Sequence, residues 1–287
     1  HRYAAFMLRE FAPESPGLDD LVGSAHQRFS RLIDEAERKA RPYYRRVLGR
    51  EASIDEVIAE VFAAVELEVD TAVARYGALF DQAALSADTL RIDESDLSTA
   101  WKNCAPALRQ AMETAIANVE TYQRRLLPRG FGEQLDQPLG VRWSPLARVG
   151  AYVPGGPQGS LPLFSSVIMN LVPAKVAGVS ELVLMTPPRA DGTIAPELLA
   201  AAYAIGVREV YRVGGIPAIA AMACGTDSIR AVDKIVGPGN IFVTLAKRYA
   251  YGRVDIDMLA GPSEVLVIAD ASADPAFVAA DLLAQAE

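Results

Sequence analysis

Two short turns put glycine, proline and a small polar residue side by side in fixed order, Gly237-Pro238-Gly239-Asn240 and Gly261-Pro262-Ser263-Glu264. Both lie in the stretch from Val232 to Ala269, each next to an apolar run with strand character. Where a strand ends and a helix begins, such a turn gathers bare backbone N–H groups and the positive end of a helix dipole at one point. A phosphorylated cofactor would sit there. Pro154-Gly155-Gly156 and Gly214-Gly215 have the same character. None of these turns is a GxGxxG fingerprint or a Walker loop, so each taken singly is equally well simple turn chemistry. Together, at one edge of one sheet, they suggest a pocket.

The elements that would position these turns alternate strictly after residue 140. The apolar runs predict strands at 149–153, 182–186, 209–213, 234–236 and 265–269. Helices are expected between them, at about 162–177, 196–205, 217–223 and 240–251, with a last one from Asp274 onward. Strands that are nearly all apolar and separated by helices make a parallel sheet covered on both faces, with right-handed crossovers. Ligands then bind beyond the carboxyl ends of the strands, where strand order reverses.

Upstream, residues 1–50 read as an N-terminal helical arm whose arginines, Arg41, Arg45, Arg46 and Arg50, form a solvated face. Ser53 with Glu56 three residues on is a capping box that starts a helix. Leu90-Arg91-Ile92 is short and strand-like, Asp93 caps a helix through Trp101, and Pro106 opens another to about Leu127. Residues 128–140 turn to Gly, Pro, Gln and Asp and read as a linker.

Composition narrows the classes of function. The chain has 287 residues, 51% of them hydrophobic, and a net charge of −8 from 36 acidic and 28 basic residues. That supports a substantial core and argues against nucleic acid as a partner. The longest apolar stretches fall well short of the roughly 20 residues a membrane helix needs. Two cysteines, Cys104 and Cys224, without CxxC spacing or a signal peptide ahead of them, point to a reduced, cytoplasmic protein. With only His1 and His26, the chain has few means of building a zinc site or a histidine base.

The motifs VGAYVPGG, SSVIMNLVPAKVAGV, AVDKIVGPGN, IDMLAGPSEVLVIAD and VAADLLAQAE, in this order from Val149 to Glu287, closely resemble histidinol dehydrogenase. The likeness is fainter from Ser53 to Leu127 and fades in the first 50 residues. The resemblance implies an α/β protein of two Rossmann-like parallel-sheet lobes with the helical arm in front. One lobe would comprise residues 51–127 with 263–287, and the other 141–262. It also implies NAD and zinc as cofactors, a homodimer, and a small amino alcohol oxidised through its aldehyde to the acid with two NAD molecules in sequence. By motif, Tyr152 and Asn240 match cofactor-contacting positions, Ser263 a substrate contact, and Gln285 a residue that touches zinc and substrate.

Read as residues, Asn240 caps a helix or reaches a ribose or phosphate oxygen, and Tyr152 stacks on a cofactor ring or closes the core. Ser263 admits a ligand or is a plain turn residue, and Gln285 without the family would be surface or a cap.

The sequence also departs from the family. Pro217 stands where a cofactor-contacting Gln is usual, and Gln123 where a His is common. The Glu-His pair that works as acid and base and the remaining zinc ligands belong to a region past Glu287, so the chain as given is expected to lack the C-terminal third, to hold no zinc and to be inactive alone. Two alternatives follow: a relative that oxidises another polar alcohol, or a catalytically inactive nucleotide-binding or assembly module.

Overall fold

A computed structural model describes residues 18–131, 139–155, 163–259 and 265–286. The chain opens with a long helix, α1 (Leu18–Leu48), followed by α2 (Ile54–Asp81), α3 (Glu94–Asn103) and α4 (Pro106–Leu126). From there strands and helices alternate: β1 (Arg148–Tyr152), α5 (Phe164–Val176), β2 (Glu181–Thr186), α6 (Pro196–Ile205), β3 (Glu209–Arg212), α7 (Gly215–Cys224), β4 (Lys234–Val236), α8 (Ile241–Ala250), β5 (Asp255–Ile256) and α9 (Pro275–Ala286).

The strands form one five-stranded sheet in the order β3-β2-β1-β4-β5, and every pairing is parallel. Because successive strand residues point to opposite faces, each strand feeds two cores. Tyr152, Val183, Met185, Tyr211 and Ile235 pack with α2, α7 and α8 on one face. Ala151, Leu184 and Val210 pack with α3 to α6 on the other. Burial on both faces is why the runs are almost purely apolar. The expected α/β parallel sheet is therefore present.

The Ser53 capping box forms as read, with Ser53 accepting from the Glu56 N–H and Glu56 from the Ser53 N–H. Within α2, Val69 leaves helical geometry at φ 47° and ψ −126°. The next residue, Asp70, is buried and accepts from Thr226 Oγ1 and from Ser228 N and Oγ, which ties this break to the loop after α7. In the arm, the four arginines at 41, 45, 46 and 50 are exposed.

Two expectations need correction. Residues 265–269 form no strand: they are mostly exposed and no strand among the described residues lies beside them, and an extended run without a neighbour has nothing to bond. The fifth strand is instead β5, two residues with a polar first position, which no apolar run announces. Leu90 to Ile92 makes only a single antiparallel bridge at the outer edge of β3, Arg91 opposite Tyr211. Helices α2, α3 and α4 cover the two faces of the sheet, α2 against α7 and α8, α3 against α6, and α4 against α5.

Candidate nucleotide-binding edge of the sheet

Strand order reverses between β1 and β4, since β1 continues to β2 on one side while β4 lies on the other. The crevice beyond the carboxyl ends of these two strands is the place where such a sheet binds ligands. Ala151 is paired with Val236, so Tyr152 and Gly237 leave the sheet side by side. The chains touch closely here. Gly237 has φ +111°, and a Cβ added to it would lie 2.1 Å from the Tyr152 carbonyl oxygen. Only glycine lets the turn pass β1 at this distance.

The turns after β1, β2 and β3 meet at Pro187. A Cβ on Gly155 would lie 3.0 Å from Pro187 Cγ, and one on Gly214 2.5 Å from Pro187 Cβ. Gly214 and Gly215 donate their N–H groups to protein acceptors, to Asp81 Oδ2 at 3.0 Å and to the Tyr152 hydroxyl at 3.3 Å. The turn after β3 is thus a point where α2 and β1 are joined. Burial pushes the Asp81 carboxyl up to about 6 against the opposing effect of the Gly214 N–H. Burial also raises the Tyr152 hydroxyl, and the nearby Asp81 charge adds to this.

The turn after β4 is built differently. Asn240 precedes α8 in extended conformation and its Oδ1 accepts from the Val243 N–H at 3.1 Å, a helix cap. Pro238 and Asn240 are exposed, so this turn faces the crevice. Gly237 behind them is held on both sides: its N–H donates to Asp257 Oδ2 at 2.8 Å and its carbonyl accepts from Lys247 Nζ at 3.0 Å. Lys247 and Asp257 also form an ion pair.

Of the residues singled out from sequence, Tyr152 ends β1, Pro217 lies in the first turn of α7 after β3, and Asn240 precedes α8 after β4, all on the carboxyl edge of the sheet. Tyr152 is 3% exposed and part of the core, so of its two readings the packed one describes its place in the fold. Pro217 is buried in the first turn of α7 and brings no hydrogen-bonding side chain to the crevice. Ser263 and the Gly261-Pro262 turn lie outside the described residues. Gln285 sits exposed on α9.

Sequence reasoning missed Asp81, Lys247 and Asp257. Lys247 left a trace, as a lysine inside the apolar face of an otherwise well-patterned helix. Asp81 and Asp257 left none, being acidic residues at element ends.

The residues present fit a nucleotide: a helix amino terminus, a glycine turn at close quarters and a strand-order reversal converge. They do not fit a catalytic zinc. Such a site needs about three protein ligands, and no group of three His, Cys, Asp or Glu among the described residues could hold a metal. Nor is any described helix long and apolar enough to cross a membrane.

A family model described as histidinol dehydrogenase matches residues 45–287. The chain is 49% identical over 259 residues to histidinol dehydrogenase of Moorella thermoacetica, covering 89% of this chain and 60% of that protein. To the protein of the same name from Rhodopirellula baltica it is 42% identical over 281 residues, 96% of this chain and 60% of the relative. The crystal structure of histidinol dehydrogenase from Elizabethkingia anophelis superposes with a TM-score of 0.71 at 39% identity, covering 83% of this chain and 54% of that one. The chain thus spans about 60% of the length of these curated relatives, and it belongs to the histidinol dehydrogenase family.

Proposed function

We propose that the protein of which this chain forms part oxidises L-histidinol through the aldehyde to L-histidine, passing two hydrides in turn to two NAD molecules. The observation that carries this reading is family membership together with the glycine turns at the β1/β4 reversal, where a dinucleotide fits. NAD, when bound, supplies the hydride acceptor. The residues of this chain hold and orient it: the Gly237 turn gives close approach, and Asn240 fixes the start of α8. Ser263 and Gln285 are assigned to the substrate, Gln285 also to zinc. The acid, the base and the remaining zinc ligands are assigned to sequence outside this chain. The protein is further assigned as a cytoplasmic homodimer of two lobes, residues 51–127 with 263–287 making one and 141–262 the other. Support for a second lobe is the exposure of 265–285.

Two measurements test the reading. The longer protein, supplied with zinc, reduces NAD when given histidinol. The 287-residue chain alone gives heat on titration with NAD but none with zinc, and forms no NADH. A second reading, oxidation of another polar alcohol, is favoured by Pro217, which removes a donor and an acceptor that the family's usual Gln would offer. Turnover of a different alcohol by the longer protein, with none of histidinol, would sink the first reading and support the second.

A further inference from the structure

Lys247 is 2% exposed, in the middle of the face of α8 that buries Val243, Ala246 and Ala250. A lysine there is costly unless its ammonium is fully engaged, and its partner Asp257 stands at the surface with 28% of its side chain exposed, so the pair is only half withdrawn from water and adds little net stability. Stability alone therefore gives no reason for a charge at this position. Its bonds point elsewhere. Nζ donates to the Gly237 carbonyl at 3.0 Å and pairs with Asp257, whose Oδ2 accepts the Gly237 N–H at 2.8 Å. Asp257 follows β5 directly, and its own N–H donates to the Ile235 carbonyl at 3.2 Å. Both backbone groups of one residue are thus gripped by two side chains, one from α8 and one from the edge of the sheet. On its third side Gly237 lies against Tyr152 with no room for a methyl group.

We propose that Lys247 and Asp257 are positioning residues that fix the Gly237 peptide, and through it Pro238 to Asn240 at the start of α8, in the one orientation that receives the phosphates of the dinucleotide. The proposal rests on the NAD-binding reading above. It is tested in the longer protein by calorimetric titration with NAD and by thermal melting, on the wild type, the double variant Lys247→Met/Asp257→Leu and the single variant Asp257→Asn. The double variant removes both charges together and leaves no lone buried ion, so it is expected to melt close to the wild type. Its Kd for NAD is expected to rise at least tenfold. The single variant keeps an acceptor near Gly237 but loses the counter-charge, and a smaller weakening, about threefold or more, is expected of its folded form. A pair that only stabilised the fold would lower the melting temperature and leave the Kd of the folded protein unmoved. NAD binding within twofold of wild type in either folded variant overturns the proposal, and if the double variant fails to fold, Asp257→Asn decides. A wild type that binds no NAD overturns the functional reading itself, a result distinct from a wild type that binds and a variant that binds equally well.

Discussion

Asp81 holds a carboxyl against a glycine turn in a place that favours its neutral form. Its folded pKa of about 6 lies above the ordinary 3.8, so the sign is that of a raised acid. The relative stability is present below about pH 4 and is lost as pH rises through 6, after which keeping the carboxylate costs about 3 kcal/mol at 1.36 kcal/mol per unit. Asp81→Asn retains an acceptor for the Gly214 N–H and removes that cost. The variant is expected to be about 2–3 kcal/mol more stable than wild type at pH 8 and nearly equal at pH 4, read from urea melts at the two pH values. At Gly237 the constraint is steric. Gly237→Ala sets a methyl 2.1 Å from the Tyr152 carbonyl at a positive φ, and a loss of more than about 3 kcal/mol is expected in the same assay. The glycine turns were visible in the sequence because glycine has few other reasons to stand in fixed order at strand ends. Their partners Asp81, Lys247 and Asp257 were hidden, since what makes them part of the site is distance across the fold, and an acidic residue at an element end reads as surface.

At the scale of elements, one side chain pins the register of three strands. Arg148, Glu181 and Glu209 are the first residues of β1, β2 and β3. Arg148 is 2% exposed and its guanidinium reaches Glu181 at 2.6 Å and Glu209 at 2.9 and 2.7 Å. The Arg148 bonds hold the Glu209 and Glu181 carboxyls below their usual values. For lowered acids the contribution is present above the unfolded value and lost as pH falls through the folded one. Arg148→Met leaves the Glu209 carboxylate only the Tyr211 hydroxyl, while Glu181 keeps Arg230, and is expected to lower stability at pH 7. The deficit should narrow below about pH 4 as both acids protonate, and urea melts across that range check it. The central strands were legible because burial on both faces makes apolar runs. β5 was not, because two residues carry no period, and 265–269 read as a strand because its composition is that of one while the partner it needs is not among the described residues.

For the whole molecule, surface exposure departs most from what a stable monomer shows in the segment 265–286. Leu266 is 85% exposed, Ile268 90%, Phe277 74% and Leu283 71%. Single exposed apolar residues are ordinary, but several on one strand-like run and the helix after it make a patch of the kind that associates. The unbroken apolar run Val265 to Ile268 and the helix after it have the composition of elements made to pack. The 287-residue chain is therefore expected to self-associate as its concentration rises, followed by sedimentation velocity. Replacing Leu266, Ile268, Phe277 and Leu283 together by serine should return it to monomer while moving the melting temperature by less than about 2 °C, because these side chains contribute little to the two cores around the sheet. If the fourfold variant associates as strongly as the wild type, the adhesive surface lies elsewhere, and the exposed Trp143 and Leu146 beside α5 become the residues to change.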